Sequence, residues 1–375
     1  MGRKKISILA ISLNRGGAEK VISTILPFLQ LNYTITLVLF YNSIEFEIPK
    51  NINVIFISSK TKLSFLEKIF FFPIAIFKYW KFIKREEIDV SISFLTRPNF
   101  INAITKFFSK RHRVILSERC YPSIAYKSHK LRWYLYKFLI PLLYNKADAL
   151  FSNSSHINED LKKNFNLEIP MSVIYNPIKI PPLDYTFQKN TKEFKVINVG
   201  SFTNVKNQRM IIDAIKNLNF KIELTLLGDG ANKEELINHV AAQGLNNFVF
   251  FPGKVNNVND YLYNSHCFIL SSITEGFPNA LLEAMAVGLP VISTNCISGP
   301  LELLNENEAV VIGNEEFYIA KYGILINVSD RIALSNAIMY LKNHISEREI
   351  LSLKAKKRAS HFSVATFIEE LKEIL

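Results

Sequence analysis

The sequence predicts an α/β protein built from two doubly wound, parallel-sheet domains. Three observations predict it. The chain has 375 residues, room for about two domains at roughly 150 residues each. Short continuous apolar runs alternate with helical stretches, as strands buried on both faces do. The stretch from Asn176 to Glu193 holds Pro177, Pro181 and Pro182 and has no helical period. It reads as an interdomain linker, and the alternation restarts beyond it.

The elements follow in order. Ile6–Ser12 reads as the first strand, Ala18–Gln30 as a helix and Tyr33–Phe40 as the second strand. A short strand at Val54–Ile57 comes next. Residues 65–84 form a long aromatic and basic helix, which Pro73 kinks or starts. Val90–Phe94, Arg113–Ser117 and Ala149–Ser152 are further strands. Beyond the linker come strands at Lys195–Val199, Ile222–Leu227, Val249–Phe251, Cys267–Leu270 and Val291–Ser293. The expected domains are 1–178 and 194–355, with a C-terminal helix over 356–375 packing back towards the first.

Composition excludes several classes. Hydrophobic residues are 49% of the chain, enough for sizeable cores and too many for wholesale disorder. Cys120, Cys267 and Cys296 are odd in number, far apart and without a C-x-x-C pair. A disulfide scaffold and a cysteine zinc site are therefore not expected, and a reducing compartment fits. No uninterrupted apolar run reaches about 18 residues, so no spanning helix is expected. The start imitates a signal peptide, but Asn14-Arg15-Gly16-Gly17 follows the short apolar run in place of a small-residue cleavage site. Ile6 stands where a myristoylation signal needs Ser or Thr.

Charge divides the chain. The formal net charge is +12, yet residues 1–185 carry +14 and residues 186–375 carry −2. The first half is thus expected to meet something anionic: a membrane surface, a phosphorylated substrate or nucleic acid.

Five motifs each follow an expected strand, where doubly wound sheets bind ligands. In Asn14-Arg15-Gly16-Gly17-Ala18-Glu19, two glycines let backbone approach a ligand, and the helix start points N–H groups and a positive dipole end at it. The same turn also serves as a plain tight connection. Gly200-Ser201-Phe202-Thr203-Asn204-Val205-Lys206-Asn207 places Lys206 to face a phosphate, or else in solvent. In Glu275-Gly276-Phe277-Pro278-Asn279-Ala280-Leu281-Leu282-Glu283, Glu275 lies in a loop and Glu283 two turns into a helix. The two carboxylates can then meet hydroxyls of two sugars, with the N–H groups of the intervening loop on an anion between them. Ser298-Gly299-Pro300-Leu301-Glu302 is the fourth. The fifth is the pair Phe94–Asn99, which carries Arg97, and Ser117–Pro122, where Glu118 and Arg119 face a cleft or pair with each other.

These residues resemble the family 4 retaining glycosyltransferases of the GT-B fold, in which two Rossmann-like domains face each other across a cleft. The carriers are the Gly-Gly-Ala-Glu start, the Gly-x-Phe-x-x-x-Lys-Asn loop and the two glutamates with seven residues between them. Phe94–Asn99, Ser117–Pro122 and Ser298–Glu302 look like the branch that builds bacterial surface glycans. Leu13–Val21, Arg97-Pro98-Asn99 and Lys146-Ala147-Asp148 are similar to the lipid-linked N-glycan hexosaminyltransferases of Campylobacter type. The resemblance spans essentially the whole chain.

The resemblance implies roles. Lys206 neutralises the donor diphosphate, and Glu283 accepts from the ribose hydroxyls. Glu275 and the backbone of Gly276, Phe277 and Asn279 surround the donor sugar and β-phosphate, while Pro278, which has no N–H, shapes the loop. Gly200 and Ser201 belong to the donor loop, Gly16 and Gly17 close over the diphosphate, and Val255 marks the nucleobase seat. Glu275, Lys206, Glu118 and Arg119 form the expected catalytic set. Two departures stand out: Ser201 where many relatives carry Arg, and Arg119 where many carry His.

The implied reaction is α-retaining transfer of a hexose or N-acetylhexosamine, GalNAc first, from a UDP-sugar to an undecaprenyl-diphosphate-linked oligosaccharide. No Asp-x-Asp motif is apparent, so no cofactor and no metal are expected. Lys62, Lys68, Lys78, Lys81, Lys84 and Arg85 lie among aromatic residues, and 126–146 repeats the theme. Such helices suit an anionic membrane surface or an acceptor pyrophosphate. The expected location is peripheral, at the cytoplasmic face of the bacterial inner membrane. The alternatives are a lipopolysaccharide, capsule or exopolysaccharide transferase using another sugar, a basic membrane- or nucleic-acid-binding protein, and an inactive membrane adaptor. No nucleic-acid motif is evident, and nucleic-acid binding leaves Glu275 and Glu283 unexplained.

Overall fold

The computed structural model describes residues 2–14, 16–61, 65–109, 111–127, 130–181 and 193–375, and leaves the side chains at 65, 66, 68 and 69 undescribed. Lys62, the side chain of Lys68, Arg15 and most of the expected linker lie outside the described residues. The chain forms two compact units, Met1–Pro177 with Val364–Leu375, and Ile178–Ser363.

In the first unit, β1 (Lys5–Ala10), α1 (Gly17–Leu29), β2 (Thr34–Tyr41), β3 (Asn53–Ser58) and α2 (Phe65–Glu86) come first. They are followed by β4 (Val90–Phe94), α3 (Thr96–Phe108), β5 (Arg113–Glu118), α4 (Pro122–Lys127), α5 (Lys130–Tyr144), β6 (Ala149–Ser152), α6 (Ser155–Phe165) and β7 (Met171–Val173). The strands pair in parallel in the order β3-β2-β1-β4-β5-β6-β7.

Alternation along β1 divides the core. Ile6, Ile8 and Ala10 pack on the face covered by α1, with Val21, Ile25 and Leu29. Leu9 points to the opposite face, against Tyr79 and Ile83 of α2. Ser7 on that face pairs with the Tyr79 hydroxyl at 3.1 Å, which satisfies a buried polar group. α2 runs 22 residues through Pro73, so the proline neither starts nor ends it.

The second unit contains β8 (Phe194–Val199), α7 (Gln208–Ile215), β9 (Ile222–Leu227), α8 (Lys233–Ala242), β10 (Val249–Gly253), α9 (Val258–Tyr263) and β11 (Cys267–Leu270). After these come α10 (Asn279–Val287), β12 (Val291–Thr294), α11 (Pro300–Asn305), β13 (Phe317–Ile319), β14 (Ile324–Ile326), α12 (Arg331–Asn343) and α13 (Ile345–Ser360). The order is β10-β9-β8-β11-β12-β14-β13, parallel except for the last pair.

Two expectations need correction. The single C-terminal helix over 356–375 is two helices. α13 ends at Ser360, and α14 (Val364–Ile374) belongs to the first unit, where Phe367 and Leu371 join the α1 face of the core. The break falls where the Phe362 carbonyl accepts the N–H of Ile178 instead of continuing a helix. Glu283 sits just over one turn into α10, not two, because α10 starts only at Asn279. Pro278 is its N-cap with extended backbone, and a residue before proline is held out of the helical region.

Candidate functional site

The strand order of the second unit reverses between β8 and β11, and the loops leaving these strands hold Gly200, Ser201, Lys206, Glu275, Gly276, Phe277 and Pro278 of the expected donor set. Such a switch point leaves a crevice at the strand C-terminal ends. Lys206, in the loop after β8, meets Glu275, in the loop after β11, with Nζ 2.6 Å from Oε1. Their side chains are 28% and 9% exposed. The Ser272 hydroxyl donates to the same Oε1 at 2.6 Å.

Backbone contacts stitch the loops together. The Ile273 N–H donates to Val205 O at 2.8 Å, and Ser271 Oγ donates to Lys206 O at 2.7 Å. Thr294, the last residue of β12, donates through Oγ1 to Ser272 O at 2.6 Å, and Ser298 Oγ, from the loop after β12, donates to Gly276 O at 2.5 Å. Gly299, at φ +96°, approaches so closely that a Cβ there would lie 2.4 Å from Pro278 Cδ. This contact holds the Gly276–Pro278 turn ahead of α10.

Asn279 opens α10, whose first-turn amides have no carbonyl one turn back to bond. Phe277 turns its ring inward onto Phe362, so only its backbone belongs to the loop surface. Glu283 is half-buried on α10. Gly200 and the exposed Ser201 open the β8 loop, and Val255 lies between β10 and α9. The structure thus brings Lys206 and Glu275 into contact, and carries Gly200, Ser201, Gly276, Pro278 and Asn279 on their two loops.

Sequence reasoning missed Ser271, Ser272 and Thr294, which fix this geometry. It also missed Gly228-Asp229-Gly230, directly after β9. Phe202 N–H donates to Asp229 O at 3.0 Å, and a Cβ on Gly228 would lie 1.8 Å from Gly200 O. A Gly-x-Gly at a strand end was the available signal.

In the first unit the strand order reverses between β1 and β4. Gly16 caps α1 with extended backbone, and Gly17 begins the helix. The Glu19 carboxylate folds back over Gly16, with Oε2 2.2 Å from where a Cβ would stand. Burial holds the Glu19 carboxyl above the usual range, offset in part by its own backbone N–H. Arg97 is exposed on the first turn of α3, just after β4.

Glu118 and Arg119 do not pair. Glu118 is wholly buried and accepts from the Tyr144 hydroxyl at 2.8 Å, Thr96 Oγ1 at 3.1 Å, Cys120 Sγ at 3.3 Å and the Arg119 N–H at 3.1 Å. Burial pushes its carboxyl up, against these four donors. Glu118 closes β5, and these hydrogen bonds fix the start of the loop that follows.

The Arg119 guanidinium lies 5.0 Å from the ring centroids of both Phe94 and Phe151. It donates to Asn176 Oδ1 at 2.7 Å, while its Nε and Nη2 are buried with no partner. Burial pushes Arg119 down to about 9, partly opposed by Glu118.

On α2, Lys81, Lys84 and Arg85 are exposed, and Lys78 donates to Ile57 O at 2.8 Å. Lys78, Lys81 and Arg85 border an apolar groove of about 670 Å³ lined by Ile55, Pro73, Ile74, Phe77 and Phe82. Phe77 is 59% exposed, and on α5 Leu131 and Phe138 are 84% and 65% exposed. Among the described residues, no helix is long and apolar enough to cross a membrane.

Comparison with known proteins gives concordant matches. Residues 15–180 match the Glycosyltransferase Family 4 model, and residues 184–358 match that of Glycosyl transferases group 1. The chain is 30% identical, over 96% of both chains, to an N-acetylgalactosamine-N,N'-diacetylbacillosaminyl-diphospho-undecaprenol 4-alpha-N-acetylgalactosaminyltransferase of Campylobacter jejuni. It is 26% identical to a second protein of that organism, a GalNAc-alpha-(1->4)-GalNAc-alpha-(1->3)-diNAcBac-PP-undecaprenol alpha-1,4-N-acetyl-D-galactosaminyltransferase, covering 98% of this chain and 96% of the other. Among solved structures it is similar to Anabaena HepE in complex with UDP and glucose, at TM-score 0.74 and 19% identity, covering 99% of each chain. The protein is a glycosyltransferase of the GT-B fold class. Within that class, the chain belongs to the family 4 glycosyltransferases.

Proposed function

We propose that this glycosyltransferase moves an N-acetylhexosamine, GalNAc in the first instance, from a UDP-sugar onto an undecaprenyl-diphosphate-linked oligosaccharide, with retention at the anomeric carbon. The observation that carries the reading is the Lys206–Glu275 contact at the β8/β11 switch point, with Glu283 eight residues on along α10. The two Campylobacter jejuni relatives, whose names give a GalNAc transfer to such a lipid-linked glycan, support donor and acceptor. HepE, a solved neighbour with UDP, supports the nucleotide.

In this reading the diphosphate lies beside Lys206 and the first turn of α10. The leaving UDP gains negative charge as the glycosidic bond breaks. A fixed ammonium and oriented amides stabilise that charge without rearranging during the reaction. Glu275 accepts from sugar hydroxyls and Glu283 from the ribose. No metal is required, because Lys206 supplies the positive charge. The first unit holds the enzyme peripherally on the cytoplasmic face of an anionic membrane. The exposed aromatic side chains of α2 and α5 enter the headgroup region, and Lys81, Lys84, Arg85 and Arg97 meet lipid phosphate or the acceptor pyrophosphate.

The test is a panel of UDP-sugars with synthetic undecaprenyl-diphosphate-linked acceptors, with and without chelator. Mass spectrometry reads the transfer and NMR the anomeric configuration. UDP-GalNAc turnover giving an α-linked product, unchanged by chelator, supports the reading. Turnover with a different sugar only on a lipopolysaccharide or capsule acceptor redirects it to those surface glycans. An inverted product or loss of activity with chelator overturns the mechanism.

A further inference from the structure

The Lys206–Glu275 contact poses a difficulty for donor binding. The cation expected to hold a diphosphate is paired with a carboxylate 2.6 Å away. An arriving diphosphate meets a neutral pair and is repelled by the carboxylate at close range. The two partners are anchored unequally. Glu275 keeps a second hydrogen bond from Ser272, which is itself wholly buried and tied to Thr294 through its carbonyl. The Lys206 ammonium has Glu275 as its side-chain partner, on a stem with four rotatable bonds. When the pair opens, the carboxylate stays in place on Ser272 and the ammonium is the group that turns away.

We propose that Glu275 is a built-in competitor of the nucleotide for Lys206, and that Ser272 is the positioning residue that retains Glu275 when the nucleotide wins. The proposal rests on the donor-site reading above and adds an exchange to it. A UDP-sugar offers two compensations, its diphosphate to Lys206 and its sugar hydroxyls to the released Glu275. UDP alone offers the first and leaves Glu275 with Ser272 as its one remaining donor. After transfer the carboxylate therefore reclaims Lys206 and drives UDP out. The device favours the full donor over its own product at a single pair of side chains.

Calorimetric titration of UDP and UDP-GalNAc into the wild type, Glu275→Gln, Ser272→Ala, Lys206→Ala and the double variant Glu275→Gln/Lys206→Ala tests this. Glu275→Gln is near-isosteric and removes the competing charge, so UDP is expected to bind about fivefold tighter, the weight of a partly exposed ion pair. UDP-GalNAc is expected to gain less, and turnover to fall. Ser272→Ala leaves the charge and loosens its second anchor, so UDP is expected to bind more weakly. The gain from Glu275→Gln is expected to vanish in the Lys206→Ala background. UDP binding that is unchanged or weaker in Glu275→Gln, or an equal gain without Lys206, overturns the exchange and leaves the donor-site reading standing. A folded wild type that binds neither UDP nor UDP-GalNAc overturns both.

Discussion

Lys206 is the residue on which the proposed chemistry turns. Lys206→Ala is expected to lower turnover by about a hundredfold or more, the usual effect of removing one charge-stabilising group from a transferase site, with the melting temperature little changed. Near-normal turnover would remove Lys206 from the mechanism. Two glycines separate folding from function. Gly228, at φ +144°, faces Gly200 O at 1.8 Å from a would-be Cβ, so Gly228→Ala is expected to cost about 3 kcal/mol or more. Gly16 has a φ of −116° that any residue adopts, and meets only the tip of the Glu19 side chain. Gly16→Ala should therefore melt like the wild type, and a raised KM for the UDP-sugar would mark Gly16 as a ligand contact. The placement of Lys206 and Glu275 was legible in the sequence because each lies in a loop that follows a strand, and that of Glu283 because it falls early in an apolar helix. The contact between Lys206 and Glu275, 69 positions apart, was not. Nor were Ser272, Thr294, Thr96 or Tyr144, since a single hydroxyl carries no spacing that separates a buried donor from a solvated one.

Among the elements, long apolar strands could be read nearly to the residue: Val90–Phe94, Ile222–Leu227 and Cys267–Leu270 stand as expected. Short ones could not. β7, β13 and β14 have three residues each, too few to show a period. Pro73 does not start α2 but sits inside a continuous helix, and the start of α10 at Asn279 lies one turn later than the expected position of Glu283 implied. The α2 and α5 faces make a measurable claim. Lys81→Glu with Lys84→Glu is expected to weaken flotation with anionic vesicles well over tenfold at low salt, since each basic residue near such a surface contributes about 1 kcal/mol. Phe138→Ser should weaken binding in a way that salt does not alter. Equal flotation of all forms would argue that these helices face solvent.

On the scale of the whole molecule, each unit carries, among the described residues, one buried histidine that resists protonation. Burial, with Lys106 nearby, pushes His112 of the first unit down to about 4. Burial and then Arg348, Lys195 and Lys342 do the same for His266 of the second, whose Nδ1 accepts the Lys195 N–H at 2.9 Å. Unfolding releases both to an ordinary value near 6.5, so the unfolded chain binds more protons below that pH. The stability they contribute is complete above pH 6.5 and is lost as pH falls towards 4. Calorimetry across that window should show both units melting progressively earlier, and a flat melting temperature would contradict the burial of these rings as neutral groups.

The path of the chain through its two units has a consequence for biosynthesis. α14 completes the α1 face of the first unit, yet it is translated after every residue of the second. At about five to twenty residues per second, the ribosome needs roughly ten to forty seconds to cross 178–363. Throughout that interval the first unit exists without Phe367 and Leu371, so Val21, Ile25 and their neighbours lack part of their cover. The half of the enzyme made first is therefore the half finished last, and a nascent chain stalled before Val364 is the form that a chaperone or protease would meet.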